Sequence, residues 1–272
     1  MPAGVQLIEG DVASTADVAR AFAALPASDR DVTVFHLAAQ PSAAMAVREP
    51  EVTERSNLVG ARVVLSAARE RGARVVFGGS ARVYGDELLG QAIDEQTPYG
   101  RVGDLSHLSK VYVEQLARCL EVGFSSVRLG VVYGLSPLMK TSPAFMTVPN
   151  LFCERAATGQ VLQVLQDRPL AFIHVDDAVS ALLLASERLR RRPVAHWEVV
   201  NAAPEVACIG QVARIVQTLA RARGLSTVIE GNAASEAGFE VRSVLETEDG
   251  FRPSRTLTDG LDPVVEFFAG AR

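Results

Sequence analysis

The sequence predicts an α/β protein built on an open, mostly parallel β-sheet with helices on both faces. Near-continuous apolar runs of strand length, such as residues 31–39 and 73–81, indicate strands buried on both faces. Amphipathic segments of helix length separate these runs, as right-handed crossovers between parallel strands require. The composition, 48% hydrophobic and 22% charged, is that of an ordinary globular protein.

Each element of the first half has its own local signal. Predicted strands, all apolar runs, are residues 5–12, 31–39, 73–81 and 125–134. Predicted helices, all with apolar residues at helical spacing, are 14–25, 49–72 and 108–123. Ser14 or Thr15 is the expected N-cap of the first helix, and Gly72 ends the second.

After residue 134 the regular alternation of strands and helices loosens. Predicted helices are 147–160, 176–189, 209–224 and the last part of 253–272, and predicted short strands are 161–165, 171–175, 197–203 and 226–231. We therefore divide the chain into a sheet domain, 1–134, and a smaller mixed α/β region, 135–272, interleaved with the sheet.

The net charge and the cysteine content limit the classes of binding partner and the cellular location that we expect. The net charge of −5 and the lack of a basic domain argue against nucleic acid. No apolar run approaches the ~20 residues that span a bilayer, and the first residues do not resemble a signal peptide. The three cysteines form no metal-binding pattern and suit reduced thiols, so we expect a cytoplasmic protein without a membrane partner.

Several motifs in a fixed order carry a family resemblance. They are "GDVAST", "VFHLAAQPS", "GGSARVYGDE", "SKVYVEQLA", "VRLGVVYG" and "FIHVDDAVSALLLA". Together they resemble the extended short-chain dehydrogenases/reductases, the NAD(P)-dependent epimerase/dehydratase family that acts mainly on nucleotide sugars. The resemblance covers essentially the whole chain, and it implies a Rossmann-like parallel sheet with a smaller mixed C-terminal region.

The resemblance implies roles for individual residues. Asp11 would accept a hydrogen bond from the adenine amino group, Ser80 would polarise a substrate oxygen, and Lys110 would hold the nicotinamide ribose. The implied cofactor-binding residues are Asp11, Leu37, Ala38, Ala39, Asn57 and Lys110. The expected substrate-binding residues are Gln40, Asn150 and Arg168. His174, Asp176 and Asp177 could pass for a metal set, but the family context indicates packing and capping, and we predict no metal site.

The N-terminal part departs from the family pattern. The family begins with a strand, a GxxGxxG turn, a helix and a second strand, and the turn brings pyrophosphate to a helix N-terminus. This sequence starts where the third strand is expected, so the first βαβ unit is truncated. Three explanations stay open: residues 5–11 pair directly with 32–38, a partner chain fills the gap, or the native start lies further upstream.

The catalytic helix departs as well. Ser106 stands where the family has its acid/base tyrosine, four residues before Lys110. A serine hydroxyl is far less acidic than a phenol, whose reference pKa is ~10. His107 beside it is a candidate general acid/base, because imidazole titrates near ~6.5 in model peptides, although it also reads as an exposed helix-start residue. Tyr84 is a candidate at the pocket edge, and Tyr99 is either a displaced phenol or a turn tyrosine.

Two further departures concern the substrate. Leu170 replaces the family's arginine and Arg168 lies two residues early, which weakens the expected nucleotide grip. Ala81 and Arg82 replace the acidic pair of the family's 4,6-dehydratases, so that reaction is disfavoured.

The predicted catalytic residues are therefore Ser80, His107, Lys110 and Tyr84. We expect an atypical family enzyme that performs isomerisation, elimination or cyclisation on a small molecule, with NAD(P) absent or weakly bound, acting as a homodimer. One alternative is an NAD(P)-dependent nucleotide-sugar epimerase or reductase whose native N-terminus is longer. The other is a non-catalytic relative that binds a small molecule or a subunit.

Overall fold

A computed structural model of the chain describes residues 4–26, 31–88, 90–101, 103–233 and 238–270. The strands, β1 to β11, are Thr33–His36, Arg74–Ser80, Ala92–Ile93, Phe124–Leu129, Val131–Tyr133, Leu162–Val164, Pro169–His174, Trp197–Ala202, Glu205–Cys208, Ile229–Gly231 and Glu240–Val241. The helices, α1 to α10, are Thr15–Ala23, Ala43–Arg48, Pro50–Thr53, Gly60–Arg71, Leu105–Cys119, Val148–Ala157, Val175–Arg190, Ile209–Ala222, Val244–Thr247 and Leu257–Gly270. A π-helical turn, Glu54–Val59, joins α3 to α4.

The main sheet has the strand order β1-β2-β4-β8. Strands β1 and β2 are parallel, with Thr33 opposite Arg74 and His36 opposite Phe77. The helices that connect consecutive strands are those of a Rossmann-like α/β fold, so the predicted fold class is confirmed. A second sheet, β5-β7-β9, contains one antiparallel pair, β7 with β9, and strand β9 was not predicted from the sequence.

The first predicted strand is wrong. Residues 5–12 form no strand, and among the described residues β1 pairs with β2 alone, so direct pairing of 5–11 with 32–38 is not seen. An apolar run becomes a strand only when a neighbouring strand supplies its hydrogen bonds, and Val5 and Leu7 are instead 54% and 74% exposed. The segment is held as a loop, since Arg20 donates to the Glu9 carbonyl oxygen.

The predicted helix boundaries hold where caps define them. Ser14 caps α1 by accepting a hydrogen bond from the Asp17 backbone N–H. The predicted long helix 49–72 ends at Gly72, whose φ of 67° lies in the left-handed region that glycine adopts easily. The same span is interrupted by the π-helical turn, a local distortion that often accompanies functional sites.

The chain divides into two compact units. The first comprises Met1–Gly79, Gly103–Ser126 and Ser186–Glu198, and the second comprises Ser80–Val102, Val127–Ala185 and Val199–Arg272. The predicted division at residue 134, with a substrate-binding role for 135–272, stays a prediction.

Each unit has its own hydrophobic core. In the first unit, α4 and α5 bury Leu65 and Val113 with Phe77 and Phe124 of the sheet. In the second unit, α6, α8 and α10 enclose a larger cluster that includes Phe172. Each fully buried large side chain contributes about 1.5–3 kcal/mol relative to exposure. No helix in the described part of the chain combines the length and apolar character that crossing a bilayer requires.

Candidate active site

The first turn of α5 orients a histidine. Asp104 is the N-cap of α5, and its Oδ1 accepts the His107 backbone N–H at 2.9 Å. The same carboxylate lies against the His107 ring, with Nδ1 at 2.8 Å from Oδ1 and 2.7 Å from Oδ2. Both side chains are largely buried, with 18% and 16% of their surface exposed. Among the described residues, Nε2 of His107 has no hydrogen-bond partner.

Ser106 and Lys110 occupy the same helix but face the interior. Ser106 is buried, and its backbone carbonyl accepts the Ser109 hydroxyl. The Lys110 ammonium donates to the Gly78 carbonyl oxygen at 2.7 Å and lies 4.7 Å from the centre of the Phe77 ring. Burial lowers the pKa of Lys110 to about 8, and Glu114 one turn later opposes that shift. This bond uses one of the three N–H donors of the ammonium, so Lys110 can bind a second acceptor without leaving Gly78.

His36 packs against the same Phe77 ring that Lys110 contacts. Its ring stacks on Phe77 with 5.7 Å between ring centres. Burial first, and then the charge of Lys110, lower its pKa to about 4. His36 is buried and therefore neutral at neutral pH.

The neutral state of His36 predicts loss of stability in acid. The folded pKa of about 4 lies below the unfolded value of 6.5, so stability is complete above pH 6.5 and falls towards pH 4. Between about pH 7 and pH 5 this group alone should cost about 2 kcal/mol of unfolding free energy. Urea denaturation of His36→Phe at both pH values should show a correspondingly flatter pH dependence than the wild type. An unchanged slope would contradict the burial of a neutral His36.

Asn57 and Gln40 build a buried polar network. In the π-helical turn, Asn57 accepts the Gln40 backbone N–H and donates to the Gln40 carbonyl oxygen and to Ser109. The Gln40 side chain donates to Thr53 and to the Ser42 carbonyl oxygen, and it accepts the Ser42 N–H. All of these residues are at least partly buried, so contact of Gln40 with a substrate would require breaking bonds within the protein.

Some, but not all, of the residues expected to bind NAD(P) have the position and chemistry that this cofactor requires. Leu37 and Ala38 are exposed and, with Ala39, directly follow the carboxyl end of β1, where α/β sheets bind ligands. The Asp11 carboxylate accepts bonds from the Ala13 N–H and from Arg55 at 2.6 Å, and the first of these lowers its pKa most. Lys110 has the required charge, whereas Ser106 offers no phenol.

Ser80 and Tyr84 belong to the second unit. Ser80 is the last residue of β2, and its hydroxyl accepts the Arg82 backbone N–H at 3.3 Å. The Tyr84 hydroxyl accepts from Arg128 and donates to Asn201, both at 2.7 Å. Burial raises the pKa of Tyr84 to about 12, which disfavours proton transfer by this phenol near neutral pH.

The Arg128 guanidinium is also held by aromatic rings. It lies 4.8 Å from the Tyr84 ring centre and 5.2 Å from that of Tyr99. Tyr99 thus packs against a buried cation, in accord with the turn-tyrosine reading.

The remaining substrate candidates are engaged within the second unit. The side-chain amide of Asn150 makes two hydrogen bonds to the backbone of Gly134. Its oxygen accepts the Gly134 N–H and its nitrogen donates to the Gly134 carbonyl oxygen, at 3.0 Å each. Asn150 also lines a cavity of about 180 Å³, together with Phe145 and Met146. Arg168 pairs with Asp86 at 2.9 Å, and Asp86 also accepts two bonds from Arg82. An anionic ligand at Arg168 would compete with that carboxylate.

A comparison with protein families decides the family. The model of the NAD dependent epimerase/dehydratase family matches residues 1–203, about three quarters of the chain. The chain belongs to the NAD-dependent epimerase/dehydratase family. A comparison with curated protein sequences found no match.

Solved structures of epimerases share the fold. A UDP-glucose 4-epimerase from Thermus thermophilus, in complex with NAD, has a TM-score of 0.79 at 23% identity, over 100% of this chain and 87% of that one. One from Thermotoga maritima, with UDP-glucose, has a TM-score of 0.78 at 22% identity, over 96% and 84%. An epimerase from Methanothermobacter thermautotrophicus has 0.81 at 20%, over 99% and 80%.

The structure adds residues beside the predicted ones that the sequence did not indicate. For Asp104 a local signal exists, since an aspartate three residues before a histidine at a helix start is a capping pattern. Arg128 and the Gly78 carbonyl had no local signal, because their partners are distant in sequence. Among the described residues no group of three His, Cys, Asp or Glu side chains could hold a metal ion. The sites predicted from the sequence stay predictions.

Proposed function

We propose that this protein is an epimerase/dehydratase-family enzyme that moves a proton on a small-molecule substrate through His107. The reaction class is isomerisation, elimination or cyclisation, without the tyrosine-driven hydride cycle. One observation carries the proposal. The tyrosine position holds a buried serine, while the adjacent His107 is braced at Nδ1 and has no partner at Nε2 among the described residues.

The chemistry follows from what each group can do. An imidazole nitrogen without a partner can accept a proton from a carbon or hydroxyl group and return it later, which typically contributes about 10²–10⁴-fold in rate. The Lys110 ammonium supplies a fixed positive charge one turn further along α5. Ser80 keeps its predicted role of polarising a substrate oxygen.

A second candidate function is an NAD(P)-dependent nucleotide-sugar epimerase or reductase. The family model is that of an NAD-dependent family, and the Thermus thermophilus neighbour is a UDP-glucose 4-epimerase in complex with NAD. In this chain Asp11, the backbone of residues 37–39 and Lys110 would hold the dinucleotide. When bound, the nicotinamide would accept and return a hydride.

Solvent exchange distinguishes the two candidates. The 272-residue protein is incubated in D₂O with UDP-glucose, UDP-galactose, UDP-glucuronate and a 4-keto nucleotide sugar, and deuterium uptake is followed by mass spectrometry. We expect uptake without added cofactor, and a loss of about 100-fold in His107→Gln, because removal of the acid/base removes its rate contribution. Calorimetric titration with NAD⁺ and NADP⁺ is run in parallel.

His196→Gln is the matched control. His196 also pairs with a carboxylate, Glu198 at 3.2 Å, but lies far from α5 in sequence, and its substitution should leave exchange unchanged. Activity that needs NAD(P) and survives His107→Gln would favour the second candidate. Uptake with none of the substrates would favour the non-catalytic relative. The cytoplasmic location and the homodimer also stay predictions, and light scattering tests the latter.

A further inference from the structure

Asp104 has two tasks at the start of α5. Its backbone adopts the extended N-cap conformation, φ −143° and ψ 156°, and its carboxylate receives the His107 N–H. The helix start therefore fixes the carboxylate, and the three-residue spacing places the His107 ring directly against it. Few rotatable bonds remain free in this pair, so the ring has little room to turn.

The contact decides which ring nitrogen carries the proton. An ionised carboxylate can only accept hydrogen bonds, so the nitrogen at 2.7 and 2.8 Å from its oxygens must be protonated. We propose that Asp104 is a positioning residue that fixes neutral His107 as the Nδ1–H tautomer and leaves the Nε2 lone pair to accept the proton. Its catalytic consequence rests on the proposed function, but the tautomer itself does not.

Another histidine of the chain provides an internal reference. The Nδ1 of His174 accepts the Asp176 backbone N–H at 3.3 Å, so neutral His174 must carry its proton on Nε2. His107 and His174 should therefore show opposite tautomers in one spectrum. The difference arises because the Asp104 carboxylate lies within hydrogen-bond distance of Nδ1 of His107. At His174 the Asp176 backbone N–H faces Nδ1, and the Asp176 carboxylate lies beyond hydrogen-bond distance, at 3.6 Å.

The test is a long-range ¹H–¹⁵N spectrum of the full chain labelled at histidine, recorded at about pH 8, where imidazole groups are largely neutral. We expect the Nδ1–H pattern for His107 and the Nε2–H pattern for His174. In Asp104→Ser, serine still caps the helix but cannot reach the ring, so His107 should populate both tautomers at an unchanged melting temperature. The Nε2–H pattern in wild-type His107, or an unaltered pattern in Asp104→Ser, would overturn the assignment.

Kinetic measurements distinguish a positioning role of Asp104 from a purely structural role. Asp104→Ser should lower the deuterium-exchange rate at saturating substrate about tenfold with little change in KM, whereas Asp104→Asn, which can still accept from Nδ1–H, should recover part of the loss. A lowered melting temperature with a wild-type rate would assign Asp104 a structural role only. If the tautomer is as expected but His107→Gln remains fully active, the proposed function fails and the tautomer assignment stands.

Discussion

Replacement of Gly100 by alanine is expected to destabilise the protein by more than about 4 kcal/mol. Gly100 donates its N–H to the Val83 carbonyl oxygen, and its Cα lies against the backbone of Tyr84. A Cβ at this position would overlap the Tyr84 carbonyl oxygen and lie 2.8 Å from the Gly85 nitrogen. Backbone atoms cannot rotate away as a side chain can, so the whole segment must shift.

Chemical denaturation monitored by circular dichroism measures this effect. Gly103→Ala is the matched control, because a Cβ there meets no described atom within 4 Å and its cost should stay within about 0.5 kcal/mol. The shift at Gly100 should also disturb the bond between Tyr84 and Arg128, since that tyrosine is the residue struck. A cost below about 1 kcal/mol for Gly100→Ala would contradict the close backbone approach.

Replacement of Lys110 by methionine is expected to stabilise the protein near neutral pH. The pKa of Lys110 falls from 10.5 to about 8 on folding, chiefly because of burial. Charging this buried amine therefore costs about 3 kcal/mol below pH 8, a cost relieved as pH rises from 8 to 10.5, where the unfolded chain binds more protons. Loss of the hydrogen bond to Gly78 offsets about 1 kcal/mol, which leaves a net gain of about 2 kcal/mol.

The pH dependence of the unfolding free energy distinguishes removal of the buried Lys110 charge from better packing of the methionine side chain. Wild-type unfolding free energy should rise between about pH 8 and pH 10, and this rise should be absent in Lys110→Met. Lys140→Met, at an exposed position, should change neither the stability near neutral pH nor the slope. Equal slopes in the wild type and Lys110→Met would show that the ammonium is solvated in the folded protein.

Much of the fold could be predicted because its signals are local. Ser14 as an N-cap, Gly72 as a helix end and the buried strand of residues 73–81 each depend on neighbours a few residues away. The failed strand at residues 5–12 shows the limit of such signals. Its apolar run satisfies a strand pattern, but the pairing partner is a property of the sheet and not of the run.

The sequence by itself determined the family and the parallel α/β class, because motif order and periodicity are written along the chain. Only the tertiary structure decided that Lys110 donates to Gly78 and that Tyr84 is bound by Arg128 and Asn201. These contacts join residues 32 to 117 positions apart, and no local pattern specifies them. Packing brings such groups together, and burial then sets their charge states.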